Sequence, residues 1–485
     1  MGKNKYRTLA GNMLILTIGQ FSSKLLVYVM LNFYTSKLGK AGFGTMNIIV
    51  STAGLLISVV TLSIADGVLR FALEKNNNGK MVYSVGINVC IVGCAVFALF
   101  VPLIGMVPML KGYEWLMLIY VISGSIKEVS GIYVRCRYQP NGVKLFAVDG
   151  IITTVSTILF NLLFLGVFKW GVEGYIWAVI LGDVTSLMFL NATAKLFSQY
   201  SPFHNDKTLR NSMLRYSIPL MPTMIMWAII NNSDMYMVEG FISAEANGIY
   251  TFAYKFPNLV TIVVGIFAQA WRMTAITERN SRTTSIFYSN ILSMQQTVMF
   301  LTCGGIMLIL RPIIIPFLGS EEFFSAYFYV PTLLFATIFQ AMDNFLSSIY
   351  EAARKTSHAL ISSVIGAGAN ILLNLILIPT VGIEGAAIAT LASYVIVFIY
   401  RIIDTKKYLY MTIYWMKIIV NLLLLLSMAF SVMFVPYGTF QNVFNAVIFI
   451  VIAALNFKSV VQSVEAVLNK RLGKSKEEND EVADK

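Results

Sequence analysis

The sequence has little charge and few residues suited to catalysis. Of its 485 residues, 12% are charged and 57% are hydrophobic, whereas a soluble domain averages about 25% charged residues. It contains two histidines, His204 and His358, and four scattered cysteines. Two histidines provide too few ligands for a histidine-based metal or catalytic centre. We therefore expect no metal site, no cofactor and no enzymatic activity. The composition excludes a soluble fold and predicts a polytopic membrane protein.

Hydrophobic runs long enough to cross a bilayer follow one another along the chain. A transmembrane helix needs about 20 apolar residues, and the connectors between the runs are short. The charged end, "NKRLGKSKEENDEVADK" (469–485), has a composition typical of disorder. The sequence predicts about 14 spans, at residues 9–34, 44–72, 81–107, 114–134, 145–168, 172–194, 214–238, 247–271, 286–310, 323–350, 358–380, 384–402, 412–434 and 439–463.

The distribution of positive charge predicts the orientation of these spans. With the N-terminus inside, 27 of the 36 lysines and arginines fall on the cytoplasmic side, and four fall within spans. Such an excess is typical of cytoplasmic connectors. The sequence therefore predicts that both termini are cytoplasmic, and the net charge of +12 reflects topology and not nucleic-acid binding. The outer connectors hold five cations: Lys37, Lys40, Lys111, Lys169 and Arg311.

The chain contains an internal repeat. "FNLLFLGVFKWGVEGYIWAVILGD" (160–183) is similar to "LNLILIPTVGIEGAAIATLAS" (373–393), "SGIYVRCR" (130–137) to "SSIYEAAR" (347–354), and "KAGFGTM" (40–46) more weakly to "AEANGIY" (244–250). Two copies of six spans are parallel repeats, which predicts a central cavity and alternating access. We predict bundles at 1–200 and 201–408, two additional helices at 409–465 and a cytoplasmic tail at 466–485.

Two six-span repeats followed by two further spans resemble the multidrug/oligosaccharidyl-lipid/polysaccharide exporter (MOP) superfamily. Within it, the chain resembles the polysaccharide-transporter branch, the Wzx-type flippases. The similar stretches are "YTSKLGKAGFGTMNIIVSTAGLL" (34–56), "SIADGVLRFALEK" (63–75), "SDMYMVEGFISAEANGIYTFAYKF" (233–256) and "NLILIPTVGIEGAAIAT" (374–390). The resemblance covers residues 1–405.

This resemblance implies a flippase for surface polysaccharide biosynthesis. Its substrate would be an undecaprenyl-diphosphate-linked oligosaccharide, moved from the inner to the outer leaflet of a bacterial plasma membrane. The resemblance also implies a monomer whose partners are this lipid-linked sugar and membrane lipids. The pair Ser23-Lys24 resembles a Ser-Arg pair of lipid II flippases, with a lysine replacing the arginine that would bind a diphosphate through two bonds.

Lysines inside the spans are the candidate ligands for a diphosphate. Lys24 lies near mid-membrane, because about 14 residues at 1.5 Å per residue place it ~21 Å deep. A cation at that depth is costly without a wet cavity or a partner. Lys24 therefore either faces the substrate or pairs with Asp66, Glu128 or Asp234. The same two interpretations, substrate or structural ion pair, apply to Lys127 and to Lys255, which is close to Pro257.

Other polar residues complete the predicted site. Arg70 and Arg272 end spans 2 and 8 and either anchor the helices on the cytoplasmic side or attract anionic headgroups. Asp234 and Asp66 are candidates for coupling transport to a Na⁺ or H⁺ gradient, with a salt bridge as the alternative for Asp234. The candidate sugar contacts, which equally suit interhelical hydrogen bonds, are Gln20, Ser23, Asn231, Asn232 and Gln269.

Three other classes of protein compete with this interpretation. A cation-coupled multidrug antiporter of the same superfamily would favour carboxylates over cations near the middle of the membrane. A membrane-bound polymerase or acyltransferase would need an intramembrane histidine or a large outer loop. Both histidines lie in predicted loops or at helix ends, and no outer connector is long. A non-transporting scaffold would not explain the cost of charged residues inside the spans.

Overall fold

The computed structural model describes residues 26–74, 77–138, 141–202, 206–277, 284–318, 320–353 and 356–457. Within these ranges the chain is almost entirely helical and forms no strand. The helices are α1 (Leu31–Val60), α2 (Ile64–Leu73), α3 (Gly79–Ile104), α4 (Glu114–Arg137), α5 (Gly142–Asn161), α6 (Gly171–Ala194), α7 (Leu196–Gln199), α8 (Lys207–Ser217), α9 (Met221–Phe241), α10 (Ala244–Thr277), α11 (Thr284–Ile309), α12 (Ile315–Leu318), α13 (Val330–Ala352), α14 (Thr356–Val381), α15 (Ile383–Thr405), α16 (Trp415–Phe434) and α17 (Thr439–Phe457).

Shorter helical turns of other types extend some of these helices. A π-helical turn follows α5 at Leu162–Val167, and another follows α11 at Leu310–Ile314. The 3₁₀ helices are Pro108–Leu110, Ile218–Leu220 and Glu321–Phe328.

Ten of the described helices are long and apolar enough to cross a membrane. The number rises to 12 if each of two bent helix pairs counts as one span. Many of their large apolar side chains face outward, such as Leu99, Met188 and Leu372. An exposed apolar surface of this kind is stable in lipid, so the chain is a multi-pass membrane protein. The predicted count of 14 stays a prediction, and most of the predicted first span, 9–34, lies outside the described residues.

Two backbone breaks divide the N-terminal helices. Gly39 adopts φ +65° and ψ −177° inside α1, which separates the end of the predicted first span from the start of the second. Glycine adopts a positive φ without a steric cost, so a turn is possible within an otherwise helical segment. Leu62 and Ser63 also have positive φ, at 54° and 52°, and they separate α1 from α2 inside the predicted second span.

The predicted repeat has matching backbone geometry at its G-[VI]-E-G motif. Gly171 and Gly382 occupy equivalent positions in the two copies, and both have a positive φ, at 61° and 75°. Each one begins the turn into a helix, α6 in the first copy and α15 in the second. The next motif glycines, Gly174 and Gly385, are closely packed: a Cβ on Gly174 would lie 2.9 Å from Trp170 Cβ, and one on Gly385 would overlap the Leu377 carbonyl.

The chain forms two compact units. The first runs to Thr251 and includes Leu318–Phe323, and the second comprises Phe252–Phe317 and the chain from Phe324 onward. The first unit has two apolar clusters, one around Tyr133 and Val134 and the other around Ile49 and Val121. These units are defined by packing, whereas the predicted boundaries at 200, 408 and 465 come from the sequence repeat and stay predictions.

Candidate functional site

A salt bridge joins α4 to α6 inside the first unit. Lys127 Nζ lies 2.9 Å from Asp183 Oδ1, and Ser123 Oγ donates a hydrogen bond of 3.1 Å to Asp183 Oδ2. Ser123 and Lys127 are four residues apart and therefore share one face of α4. The side chain of Asp183 is 5% exposed and that of Lys127 is 30% exposed. The ammonium group is thus neutralised by a buried carboxylate.

A second carboxyl group lies beside this pair. Ser186, three residues after Asp183 on α6, donates a hydrogen bond of 2.6 Å from its hydroxyl to Asp149 Oδ1 on α5. Asp149 is within electrostatic range of both Lys127 and Asp183 and is buried. Helices α4, α5 and α6 therefore enclose two carboxyl groups, two hydroxyls and one ammonium group. Lys127 neutralises Asp183, so Asp149 is the carboxyl group of this cluster that can hold a proton.

Glu128 extends the acidic character of this region toward α2. It is adjacent to Lys127 on α4, its side chain is exposed, and it lies within electrostatic range of Asp66. Asp66 is in the first turn of α2 and is half-buried. The predicted ion-coupling residue Asp66 is thus close to another acid, and its coupling role stays a prediction.

The second unit has a neutral counterpart of the α4–α6 contact. The repeat alignment matches Ser123 with Gln340 and Asp183 with Tyr394. In the structure, Gln340 Nε2 on α13 donates a hydrogen bond of 2.6 Å to the Tyr394 hydroxyl on α15. The same pair of helices is therefore joined at the same position in each copy. In the first copy the connection is ionic, and in the second it is neutral.

A close helix contact inside the first unit brings the two copies of the KAGFG-like motif together. A Cβ on Gly44 of α1 would lie 2.9 Å from the Gly248 backbone nitrogen and also against the Ala244 carbonyl of α10. A Cβ on Gly248 would in turn overlap the Lys40 carbonyl. The repeat alignment matches Lys40 with Ala244 and Gly44 with Gly248. The contact is therefore reciprocal, and glycine at both positions allows the backbones to touch.

Polar side chains surround this glycine contact. Asn247 donates hydrogen bonds to the Gly44 carbonyl, at 3.3 Å, and to Glu239 Oε2, at 2.8 Å. Thr52 and Tyr236 share a hydrogen bond of 2.7 Å between their hydroxyls. These bonds link α1 to α10 at Gly44 itself and to α9 eight residues further along α1.

Helix α9 carries three of the candidate residues from the sequence analysis: Asn231, Asn232 and Asp234. Asp234 is buried and accepts a hydrogen bond of 2.8 Å from the Tyr250 hydroxyl. Asn232 donates to the Ala228 carbonyl of its own helix, at 3.0 Å, and Asn231 is half-buried and also has a partner. The structure therefore places Asp234 in a polar environment, while its predicted coupling role stays a prediction.

The predicted cations are distributed over several places. Arg70 is exposed at the end of α2, where its guanidinium lies 4.5 Å from the Tyr216 ring centroid and 3.9 Å from Glu74. Lys255 is half-buried in the middle of α10, belongs to the second unit and interacts with a partner. Lys127 pairs with Asp183. Their predicted contacts with a diphosphate stay predictions.

The structure does not describe the side chains of five of the candidate site residues. Lys24, Gln20 and Ser23 precede residue 26. Gln269 and Arg272 belong to α10, but the side chains of that part of the helix are not described.

Sequence reasoning missed the partner of Lys127 and the glycine contact. No pattern along α6 indicates which of its residues points toward Lys127 on α4. The alignment of Gly44 with Gly248 was available from the repeat. It marked equivalent positions without indicating that the two would touch each other.

The fold defines the class of protein. It is similar to that of the lipid II flippase MurJ in an inward-closed conformation, with a TM-score of 0.69 and 15% identity over 92% of this chain and 100% of that chain. An inward-facing multidrug resistance MATE family transporter gives a TM-score of 0.60, with 14% identity over 81% of this chain and 98% of that chain. A mutant of the Vibrio cholerae MATE transporter VcmN gives 0.56, with 14% identity over 83% of this chain and 96% of that chain. The chain therefore has the fold of the MOP superfamily transporters.

The sequence identifies the family within this class. The model of the family described as "Polysaccharide biosynthesis protein" matches residues 9–272, which is more than half of the chain. The chain belongs to this polysaccharide biosynthesis protein family and is a multi-pass membrane transporter of the MOP superfamily. No sequence among curated proteins matches it significantly.

Proposed function

We propose that the protein is a flippase that moves an undecaprenyl-diphosphate-linked oligosaccharide from the inner to the outer leaflet of a bacterial plasma membrane. The observation that carries this proposal is the family match over residues 9–272. A diphosphate crossing hydrocarbon needs cations that replace its hydration, and Lys24, Lys255, Arg70 and Arg272 are the candidates. The protein acts as a monomer of the Wzx type, with both termini cytoplasmic.

The contact between Gly44 and Gly248 supports an alternating-access mechanism. In the proposed topology, residues 35–43 and 239–246 are outer connectors, so this contact joins α1, shortly after its Gly39 break, to α10 on the outer side of the membrane. Opening it requires that two glycine backbones separate and that the bonds of Asn247 and Thr52 break. Each of the two hydrogen bonds is a single polar contact, worth about 1 kcal/mol or less within a membrane protein. The contact is therefore weak enough to open once in each transport cycle.

Transport by the purified protein tests the substrate class. The protein is reconstituted in liposomes that contain a fluorescent undecaprenyl-diphosphate-linked disaccharide, and the label exposed on each leaflet is quenched to measure translocation. We expect Lys24→Glu to abolish translocation and Lys24→Arg to retain it, because a diphosphate needs a cation at this depth. Lys37→Glu is the matched control, since Lys37 is an exposed lysine outside the predicted spans.

A multidrug antiporter is the second candidate, and one observation favours it. The described interior of α4–α6 contains the carboxyl groups of Asp149 and Asp183 against the single ammonium group of Lys127, and carboxylates suit cationic cargo. The same liposomes are therefore tested with a cationic dye. If Lys24→Glu moves the lipid-linked sugar at the wild-type rate, the proposed role of Lys24 is wrong. If the wild type transports only the dye, the flippase proposal is wrong.

A further inference from the structure

The second unit contains a buried carboxyl group without a hydrogen-bond partner among the residues the structure describes. Asp343, on α13, is 3% exposed, and both of its carboxylate oxygens lack a donor. An ionised carboxylate buried in this state costs several kcal/mol. The group must therefore be neutral, or another cation must lie against it.

The neighbouring arginine does not supply the missing hydrogen bonds. Arg401, on α15, is 6% exposed and uses each of its three nitrogens on a neutral oxygen. Nε donates to Ser362 Oγ at 2.9 Å, and Nη2 donates to Ser363 Oγ at 3.2 Å, both on α14. Nη1 donates to the main-chain carbonyl of Asp343 itself, at 2.7 Å. The guanidinium thus reaches the backbone of Asp343 and leaves its carboxyl group without a bond.

We propose that Asp343 is a proton-binding site whose protonation state decides whether Arg401 holds the serines of α14 or pairs with the carboxylate of α13. With the proton bound, Arg401 joins α15 to the serines of α14. When the proton leaves, the carboxylate attracts the guanidinium, which releases Ser362 and Ser363 and pairs with Asp343. If the protein is the proposed flippase, this exchange couples the movement of α13 against α14 to a proton gradient.

A proton fits this site better than a sodium ion. Sodium is a hard cation that needs several oxygen ligands at once, but the main-chain carbonyl of Asp343 and the two nearby serine hydroxyls already accept bonds from Arg401. A second cation would also be repelled by the guanidinium. A proton neutralises the carboxyl group without requiring further ligands.

Three polar side chains on the helices packed against α13 have partners of their own. From α15, the Tyr394 hydroxyl bonds Gln340. From α11, Gln295 Nε2 donates to the Ala341 carbonyl at 3.0 Å. From α16, Lys417 donates to hydroxyls of α11.

The titratable groups nearer the helix ends form a separate cluster. Asp404 accepts bonds from Tyr350 at 2.9 Å and Lys407 at 2.9 Å and lies 2.8 Å from His358 Nδ1. His358 Nε2 in turn lies 3.2 Å from the Tyr408 hydroxyl. Among the described residues, Arg401 is the charged group whose field acts on Asp343.

Infrared spectroscopy of the full chain in lipid nanodiscs tests the proposal without a transport substrate. We expect wild-type protein near neutral pH to show the carbonyl band of a protonated carboxylic acid. This band should be lost in Asp343→Asn and retained in Asp183→Asn. Asp183 is the matched control because it is 4% exposed but paired with Lys127. If the spectra of wild type and Asp343→Asn are the same in this region, the proposal is overturned.

A second variant tests the exchange of Arg401. Replacing Ser362 and Ser363 by alanine removes two of its bonds, so the guanidinium is free to pair with the carboxylate. The band of Asp343 should then disappear at a pH lower than in wild type by about one unit, since one unit corresponds to a typical hydrogen-bond difference. No change, or a shift to higher pH, would show that Arg401 does not respond to Asp343.

Wild-type protein alone decides the question if Asp343→Asn does not fold. Hydrophobic carbodiimides modify protonated carboxyl groups in apolar surroundings, and mass spectrometry locates the modified residue. Modification of Asp343 that decreases as the pH rises supports the proposal, and equal modification of Asp183 contradicts it. Because neither measurement involves transport, a negative result here leaves the flippase proposal intact. A failed translocation assay likewise leaves the proton site intact.

Discussion

Several charged residues in the described interior are held by specific partners, and this pairing limits what each one can do. Lys127 is the clearest example, since its predicted contact with substrate competes with its 2.9 Å salt bridge to Asp183. Removing one member of a buried pair leaves the other without compensation, which costs more than removing both. Stability and transport can therefore be separated by variants of this one pair.

We predict that Lys127→Met lowers the free energy of unfolding by about 3 kcal/mol, because the Asp183 carboxylate loses its counter-charge. The double variant Lys127→Met/Asp183→Asn should recover most of this loss. Thermal unfolding in detergent measures both effects. If the double variant is stable and transports, Lys127 is structural; if it is stable but inactive, Lys127 acts on the substrate. Equal melting of Lys127→Met and wild type would contradict the prediction.

Contacts between helices depend on small residues and on helix ends. At the contact of α1 with α10, glycines let two backbones touch, and polar side chains surround them. At the C-terminal end of α11, a π-helical turn presents Arg311 to the end of α16. Each contact joins elements that are far apart in the sequence.

We predict that Gly44→Ala and Gly248→Ala each destabilise the contact of α1 with α10 by about 1–3 kcal/mol, because the added methyl group overlaps backbone atoms. Residues near the contact should then react faster with a thiol reagent after a cysteine is placed at Phe43, which is buried. Gly54→Ala is the control on the same helix, since its Cβ would meet nothing within 4 Å. A similar reaction rate in all three variants would show that the contact does not close this region.

Arg311 supports a second prediction about helix contacts. Its Nη1 donates to the carbonyls of Val432 at 3.2 Å and Val435 at 2.9 Å, and its guanidinium lies 4.2 Å from the Tyr327 ring centroid. Arg311→Lys keeps the charge but loses the planar group that makes these contacts together. We expect a loss of about 2 kcal/mol in stability, measured by thermal unfolding. Lys111→Arg, at an exposed lysine, should melt as the wild type does.

At the scale of the whole molecule, the distribution of positive charge determines the proposed orientation. Five of the 36 cations lie in the predicted outer connectors, and cytoplasmic connectors usually carry the excess. The orientation decides on which side of the membrane the Gly44–Gly248 contact lies, and therefore whether it closes the outer or the inner side.

We predict that a green fluorescent protein fused after Lys485 is fluorescent, because this reporter folds in the cytoplasm. A phosphatase inserted after Lys111 should be active, because it needs the oxidising outer side. The reciprocal fusions are the controls and should be inactive. An active phosphatase at the C-terminus would reverse the orientation and place the glycine contact on the inner side.

The sequence predicted the fold in its main features. Hydropathy located the helices because lipid requires about 20 apolar residues for each span, and described spans such as α3, α6 and α16 begin and end within a few residues of the predictions. The repeated motif at Gly171 and Gly382 has the same turn in both copies. The break at Leu62 and Ser63 was not predicted, because no glycine or proline marks it.

The candidate site was less predictable. Lys127 and Asp183 both lie inside predicted spans, but their separation along the chain gave no indication that they pair. Asp343 lies within the predicted span 323–350, and its lack of a donor among the described residues became visible in the structure.

Membrane insertion, helix positions, the repeat and the family follow from the sequence by itself, because hydropathy, charge and motif similarity are properties of residues in their order along the chain. The tertiary structure decided which carboxyl group neutralises Lys127, which glycines touch, and that Arg401 bonds two serines and a backbone carbonyl instead of Asp343's carboxylate. These depend on how each helix is rotated about its axis and on which helix lies beside it. Small packing differences summed over many side chains set that rotation, so no local pattern specifies it.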